Sequence, residues 1–259
     1  MRTITATDLT PAIAALFAHD APTILRARAI LAGLTSGPLR VDDTAHPTRA
    51  LVVEPIYGTL YLAGRWNAAQ IAGQIAELRT MGDLGISCWL DDPLNDMLPP
   101  DPEYDGTTYM FRDRDPSVAL AQFAAQVPEG YEIEPRTAAS LRWAFGLDEL
   151  LATYGSEAAL LRYTHAVNVM HNGYMVGEAA TGAPVEGRIE VGVTIMDSYW
   201  GQGLATAACA ALILRVEAKG LRPWWDCATH NEPSVRLARK FGFVNKRIYR
   251  YREWAGTNR

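Results

Sequence analysis

Apolar and polar residues alternate in short runs through the C-terminal half of the chain, which is the pattern of half-buried strands. Two such runs, 166–170 and 174–179, flank His171-Asn172-Gly173. An Asn-Gly pair between apolar runs favours a tight hairpin turn. A third run, 188–195, follows an intervening loop. The pattern therefore predicts three consecutive strands.

A long apolar run predicts a helix over 204–219, because Gly220 and then a proline follow it as stop signals. Gly201, Gly203 and Ala205 surround the start of this helix. Small residues at that point leave the first-turn N–H groups open to an anion. Further C-terminal elements are predicted as a strand at 224–229, a helix at 232–242 and a strand at 245–254.

The N-terminal half carries a weaker version of the same signals. Helices are predicted at 9–18, 23–31 and 67–82, strands at 49–55, 59–64, 86–90 and 130–137, and one or two helices within 138–163. The order of strand, helix, glycine and tryptophan-bearing strand occurs twice, ending in SCWLDD and in WWDCAT. A degenerate duplication would explain this repeat, and the first copy, with AGRWNA at its turn, lacks the paired glycines. The sequence predicts an α/β protein with an N-terminal domain over 1–127 and a C-terminal domain over 128–259.

Composition and charge narrow the class of protein. The chain has 259 residues, is 49% hydrophobic and has a net charge of −5, which disfavours a nucleic-acid-binding protein. Asp8 and Pro11 interrupt the region where a secretory signal needs an unbroken apolar run, and no apolar segment is long enough to span a membrane. We therefore expect a cytoplasmic protein. Its three cysteines form no Cys-x-x-Cys pair, so no disulfide framework or metal site is expected.

The charge is unevenly distributed. Residues 186–259 hold 12 Lys and Arg against 7 Asp and Glu, a net charge of +5, whereas residues 1–185 hold 12 against 22, a net charge of −10. The positive segment, residues 186–259, is the one that contains the glycine loop. This positive charge fits either an ordinary solvated surface or a surface that attracts a polyanionic small ligand.

Three kinds of phosphate-binding loop compete for the stretch GQGLAT. A P-loop would end in Gly-Lys-Ser/Thr, but this loop has no lysine. A dinucleotide fingerprint would follow its strand directly, whereas residues 196–200 intervene here, and its acidic residue could only be Asp226. A Gly-x-Gly/Ala loop after an antiparallel strand needs neither feature, since backbone N–H groups and the helix dipole hold the phosphate.

Three linked motifs resemble one superfamily. The stretches IEVGVTIMDSYWGQGLATAACAALI, GLRPWWDC and NEPSVRLARKFGF resemble the GNAT acyl-CoA-dependent N-acyltransferases, and within them the GNAT acetyltransferase subfamily with a Gly-Leu-Ala loop and a Pro-x-Trp-Asp-Cys strand. The resemblance covers about residues 165–254 and is thin before about residue 128. It implies a GNAT fold, a mixed and mainly antiparallel sheet flanked by helices, with acetyl-CoA as cosubstrate.

The resemblance also implies where acetyl-CoA binds. Backbone groups of the strand before the loop would pair with the pantetheine arm, the loop N–H groups would hold the pyrophosphate, and the next helix would add polar contacts. The matching residues are Val193, Ile195, Trp200, Gly201, Gln202, Gly203, Leu204, Ala205, Thr206, Asn231 and Ser234. Trp200 departs from the superfamily, which has Gln or Arg there, and a tryptophan cannot give a bidentate phosphate contact.

Catalysis requires a base that takes a proton from the attacking amine. Glu190 matches the glutamate that many GNAT enzymes use, although alternation would equally make it a surface carboxylate, and Glu178 is the second choice. The tyrosine that often protonates the thiolate is absent, since Ala238 stands at its position. Tyr249 and Tyr251 are alternative acids or sheet-packing residues.

The resemblance therefore implies transfer of an acetyl group to a primary amine by direct attack, with the oxyanion on a backbone N–H near Ile195. The N-terminal domain would shape the acceptor site or form a homodimer. The acidic loop with Asp91, Asp92 and Asp96 would attract a cationic small-molecule acceptor. A catalytically silent acyl-CoA-binding or interaction module, and a protein-lysine acetyltransferase, are the alternatives.

Overall fold

The computed structural model describes residues 1–257 and divides the chain at two points, one within residues 104–114 and one within residues 243–254. Unit 1 comprises residues 1–108 and the segment from residue 248 onward, and unit 2 comprises residues 109–247. The sequence prediction placed a single boundary at 127/128, so the observed division differs from it. One reason is that Arg114 donates two hydrogen bonds, of 2.6 and 2.8 Å, to Glu217, which ties the segment after residue 108 to the second unit.

Unit 1 is built on a mostly antiparallel sheet. Its strands are β1 (Arg2–Ile4), β2 (Leu39–Val41), β3 (Arg49–Glu54), β4 (Thr59–Gly64) and β5 (Leu84–Trp89), and its helices are α1 (Pro11–Leu16), α2 (Ile24–Leu31), α3 (Ala68–Leu78) and α4 (Leu94–Met97). Strand β6 (Tyr104–Arg114) leads out of the unit and β12 (Phe243–Trp254) leads back. The strand order is β1-β2-β3-β4-β5-β12, and the β4–β5 pair is parallel.

Two apolar clusters form the core of unit 1. One places α1 and α2 against β2, β3 and β4, and the other places α3 against β3, β4 and β5. Side chains fix where α1 and α3 begin. At the start of α1, the Thr10 hydroxyl accepts from the N–H of Ile13 at 3.3 Å. At the start of α3, the side-chain oxygens of Asn67 and Gln70 each accept from the backbone N–H of the other residue. Such caps satisfy N–H groups that have no partner within the helix.

The strands of unit 2 also pair in a mixed, mainly antiparallel arrangement. Its elements are α5 (Ala121–Ala124), β7 (Tyr131–Pro135), α6 (Leu147–Tyr154), α7 (Glu157–Tyr163), β8 (Ala166–His171), β9 (Tyr174–Thr181), β10 (Arg188–Ile195), α8 (Leu204–Glu217), β11 (Arg222–Ala228) and α9 (Glu232–Lys240). The strand order is β7-β8-β9-β10-β11-β6, with β10 and β11 parallel. The predicted α/β class and the mainly antiparallel sheet are confirmed.

The hairpin predicted from the Asn-Gly pair is also present. Asn172 and Gly173 have φ values of 50° and 79°, which suit a type I′ turn between β8 and β9. Helix α8 packs its apolar side chains into the main core of the unit, beneath β8, β9 and β10. Within the described residues, no helix has the length and apolar content needed to cross a bilayer.

The same order of elements occurs in both units. An antiparallel pair, β3–β4 or β9–β10, leads through a helix, α3 or α8, to a strand parallel to the second member of the pair. The repeat of strand, helix and tryptophan-bearing strand seen in the sequence therefore corresponds to a repeated topology. The two helix starts differ, because side chains cap α3 whereas Gly203 opens α8 without a side-chain cap.

Candidate active site

The site begins where two parallel strands part. Strands β10 and β11 pair from Arg188 with Arg222 to Glu190 with Trp224. Beyond that pair, β10 continues to Ile195 along β9, where Ile195 lies opposite Gly177. The second half of β10 therefore has a strand partner on the β9 side, and its other edge opens towards a gap.

Hydrogen bonds at both ends of β10 fix which backbone groups face this gap. On one edge the N–H of Met196 donates to Val176, and on the other the N–H of Arg222 donates to Gly187, each at 2.9 Å. Because backbone groups alternate between the two edges of a strand, those of Val193 and Ile195 are directed away from β9 and into the gap. This direction is the one that the predicted pantetheine contacts require.

A cavity of about 790 Å³ continues from this gap. It contains all eleven residues that the sequence assigned to acetyl-CoA: Val193, Ile195, Trp200, Gly201, Gln202, Gly203, Leu204, Ala205, Thr206, Asn231 and Ser234. The tertiary structure thus brings the strand, the glycine loop and the start of α9 together around one space. Their role in cofactor binding remains a prediction.

Gly201 and Gly203 are required by the backbone rather than by packing. Their φ values are 78° and 84°, in the left-handed region that side chains strain. A Cβ atom added at either position would meet no protein atom within 4 Å. Close packing against a neighbouring element therefore does not account for these two glycines, and the space above them is open.

The start of α8 presents backbone N–H groups that have no partner within the helix. Gly203 is the N-cap and has no side chain to accept from the first turn. The N–H groups of Leu204, Ala205 and Thr206 precede the first intrahelical bond, which runs from Ala207 to Gly203 at 3.1 Å. Together with the positive end of the helix dipole, these groups fit a diphosphate without a cationic side chain.

Two loop side chains are held by specific bonds. The indole N–H of Trp200, whose residue is 66% exposed, donates to the carbonyl oxygen of Ile195 at 2.6 Å. The hydroxyl of Tyr131 donates to Gln202 at 2.7 Å, and the Tyr131 ring stacks on His171 with centroids 4.5 Å apart. The glycine loop is therefore anchored to the end of β10 and to strand β7.

Helix α9 begins with a cap that also reaches β11. Asn231 accepts from the N–H of Ser234 at 3.2 Å, and the Ser234 hydroxyl accepts from the indole N–H of Trp225 at 3.0 Å. Asn231 and Ser234 thus have the structural roles that their positions suggest, while both also line the cavity.

The two candidate bases differ in environment. Glu190 is half-buried at the last β10–β11 pair, outside the set of residues that line the cavity. Glu178 is buried and forms an ion pair with Arg136. Burial raises the pKa of Glu178, while Arg136 and the N–H of Phe145 act in the opposite direction. Glu178 is therefore committed to a structural ion pair.

The two tyrosines and the acidic loop considered from sequence lie in unit 1. Tyr249 is buried, with its ring 6.2 Å from that of Trp89, and the Tyr251 hydroxyl donates to Glu253 at 2.8 Å. Both make sheet-packing contacts. In the acidic loop, Asp92 accepts from the N–H of Leu94 at 2.9 Å. Neither these tyrosines nor Asp91, Asp92 and Asp96 belong to the cavity wall.

Sequence reasoning missed several residues of the cavity wall. They are Thr194, Asp197, Tyr199, Pro233, Arg236, Leu237 and Lys240. The spacing of Arg236 and Lys240 along α9, four residues apart, was a signal available in the sequence, because such residues share a helix face. The others lie within the motif stretches quoted above, but no spacing or residue type singled them out.

The thiols are not reactive candidates. Cys88, Cys209 and Cys227 are all buried and free. Burial raises the pKa of each, to about 12 for Cys88, so thiolates do not form at neutral pH. Among residues 1–257, no group of three or more His, Cys, Asp and Glu side chains is placed to hold a metal ion.

Solved structures share this fold over nearly the whole chain. A GCN5-related N-acetyltransferase-like protein from Streptococcus suis 89/1591 is 24% identical, with 93% of this chain and 96% of that one covered and a TM-score of 0.70. A tandem GNAT protein from the clavulanic acid biosynthesis pathway is 14% identical, with 97% of each chain covered and a TM-score of 0.57. At these identities the likeness concerns the fold alone.

Sequence comparison gives the family. An uncharacterized N-acetyltransferase of Bacillus subtilis (strain 168), YdfB, is 32% identical over 75 residues, which is 29% of this chain and 29% of the length of that protein. The family described as GNAT acetyltransferase matches residues 14–251, most of the chain. The protein therefore belongs to the GNAT acetyltransferase family.

Proposed function

We propose that this protein transfers an acetyl group from acetyl-CoA to a primary amine of a small molecule. The observation that carries the proposal is the cavity at the parting of β10 and β11, which joins an open strand edge to an uncapped helix start. An extended thioester with a diphosphate at its far end fits this arrangement, with the thioester along the open strand edge and the diphosphate at the helix start.

The described residues divide the binding of acetyl-CoA between them. The N–H groups from Gly201 to Thr206 hold the diphosphate, and the outward backbone groups of Val193 bind the pantetheine arm. The N–H of Ile195 is the donor that holds the oxyanion, while the carbonyl of the same residue accepts from Trp200. Strand β10 thereby aligns the thioester at its C-terminal end.

Glu190 acts as the base, directly or through one water molecule. The carboxylate takes a proton as the amine nitrogen attacks the thioester carbonyl carbon; the C–N bond forms and the C–S bond breaks. The departing thiolate takes a proton from solvent. No dedicated acid is needed, because the reference pKa of a thiol is about 8.5, roughly two units below that of an amine.

Unit 1 shapes the acceptor site or forms a homodimer in this proposal. The negative charge of its acidic loop is the reason for proposing a cationic acceptor. Replacing Asp91, Asp92 and Asp96 with Asn should raise KM for a cationic amine and leave KM for acetyl-CoA unchanged. An unchanged KM for the amine would show that the acidic loop takes no part in acceptor recognition.

Three buried thiols are compatible with a reducing compartment, and we place the protein in the cytoplasm.

The direct test is the melting temperature with and without excess acetyl-CoA, with NADH as the control anion. At 100 times the dissociation constant, a ligand that binds only the folded state stabilises it by about 2.7 kcal/mol. We expect acetyl-CoA alone to raise the melting temperature. A screen of primary amines, with release of free CoA thiol as the readout, then tests turnover.

A catalytically silent acyl-CoA-binding module is the second candidate. The position of Glu190 outside the cavity wall favours it. Binding of acetyl-CoA together with no thiol release for any amine would support this module. Absence of acetyl-CoA binding would contradict both functions.

A further inference from the structure

Two cationic side chains extend the cavity wall beyond the glycine loop. Arg236 and Lys240 both line the cavity, and both are exposed on α9. Residues four apart lie on the same helix face, about 6 Å apart along the axis. They therefore present two positive charges, one turn apart, to the space that begins at Gly201.

The charge balance of the wall is positive. Its ionisable residues other than tyrosine are Asp197, Arg236 and Lys240. The diphosphate groups proposed above bind neutral backbone N–H donors, so neither cation is needed for them. The α9 cations are thus left over for a second anionic group on the same ligand.

Both cations are held weakly. Arg236 pairs with Glu232 at 3.0 Å, but both side chains are more than 60% exposed, and such pairs contribute little. The Lys240 ammonium nitrogen lies 5.0 Å from the centroid of the Phe123 ring, which leaves its N–H donors available to an oxyanion. A doubly charged phosphate competes well against both contacts.

We propose that Arg236 and Lys240 bind a terminal phosphate monoester of the ligand and so select 3′-phosphorylated coenzyme A over its dephosphorylated form. The inference rests on the proposed function. Coenzyme A carries a phosphate monoester on its ribose in addition to the diphosphate. A phosphate monoester has a charge of about −1.5 to −2 at pH 7, which matches two cations.

Arg239 provides a matched control on the same helix. It is a neighbouring, exposed cation that does not line the cavity. Long-range attraction of a polyanion would weaken equally on loss of any one of these charges, whereas a phosphate site depends on Arg236 and Lys240 only.

The test measures dissociation constants of coenzyme A and 3′-dephospho-coenzyme A by calorimetry, for the full chain and three variants. We expect the unaltered protein to prefer coenzyme A by about 5- to 30-fold, because two solvent-exposed ion contacts contribute up to about 1 kcal/mol each. R236A/K240A should lose this preference, and R239A should keep it. E232Q should bind coenzyme A a few-fold more tightly, because Glu232 no longer competes for Arg236.

The outcomes separate the two levels of the proposal. Equal affinity for the two ligands, or a preference that survives in R236A/K240A, would overturn the phosphate site while the proposed function stands. Failure of the unaltered protein to bind either ligand or acetyl-CoA would overturn the proposed function and this inference together. Circular dichroism of each variant verifies that it is folded.

Discussion

The indole nitrogen of Trp200 lies 2.6 Å from the carbonyl oxygen of Ile195 and donates a hydrogen bond to it. This bond closes the turn between the end of β10 and the glycine loop. A similar bond occurs in unit 1, where the indole of Trp66 donates to the carbonyl of Ala63 at 2.9 Å, beside the end of β4. Each unit therefore uses a tryptophan to hold the segment that leads from the strand to its helix.

Trp200→Phe should weaken acetyl-CoA binding. The ring remains while the N–H donor is lost, so the loop must be ordered as the ligand binds. A hydrogen bond contributes about 1 kcal/mol net, which corresponds to a 5- to 10-fold higher KM for acetyl-CoA with a similar kcat. Trp66→Phe is the matched control and should leave this KM unchanged. Equal KM values for both variants and the unaltered protein would show that the bond does not order the loop.

Gly203→Ala and Gly220→Ala should destabilise the fold similarly but differ in ligand binding. The two glycines stand at opposite ends of α8, with φ values of 84° and 75°, and an added Cβ meets no protein atom within 4 Å at either site. Backbone strain should lower the free energy of unfolding by about 1 kcal/mol in each.

Only Gly203→Ala should lose acetyl-CoA affinity, because its methyl group would enter the space proposed for the diphosphate. Denaturant unfolding and calorimetry give the two quantities. Full affinity in Gly203→Ala would mean that the diphosphate lies elsewhere.

Glu190→Gln should lower kcat by about 10²- to 10⁴-fold, the usual contribution of a general base, with little change in acetyl-CoA affinity. The rate of CoA thiol release at saturating amine and acetyl-CoA measures this kcat. Glu132→Gln, an exposed change on the edge strand β7, is the control and should behave as the unaltered protein. Unaltered turnover in Glu190→Gln would exclude Glu190 as the base.

Glu178→Gln should act mainly on stability. The change leaves the Arg136 guanidinium without its ion-pair partner, and side chains in this pair are only 4% and 9% exposed. Removing one partner of a buried pair destabilises by roughly 3–5 kcal/mol. Unfolding of the variant measures this loss. A stable variant with lost turnover would instead identify Glu178 as the base.

Asp42→Asn should reduce stability in a pH-dependent way. Burial acts to raise the pKa of Asp42, but hydrogen bonds from the Thr48 hydroxyl and from the N–H groups of Asp43, Thr48 and Arg49 outweigh it and lower the pKa to about 2. Since the unfolded value is about 3.9, the ionised carboxylate stabilises the fold above pH 4, and this stabilisation is lost as the pH falls through 2.

The melting temperatures of Asp42→Asn and the unaltered protein should therefore differ most near neutral pH and converge towards pH 2. A difference that is constant over this range would assign the effect to packing instead of charge.

The sequence by itself determined the local features of this protein. The Asn-Gly hairpin, the apolar run of α8 and the paired glycines before it depend on residues close together in the chain, so their conformations could be predicted from spacing and residue type. The eleven predicted cofactor residues followed from the same motifs, and all line one cavity. Short elements such as β1, β2 and α5 carry too few residues for a period to emerge.

Only the tertiary structure decided which distant residues meet. The unit boundaries follow from contacts such as Arg114 with Glu217, and Trp254 pairs with Leu84 across most of the chain length. The placement of Arg236 and Lys240 on the cavity wall depends on how α9 packs beside β11. Such contacts are fixed by the packing of whole elements, because side chains far apart in sequence leave no common spacing or periodicity that could be read along the chain.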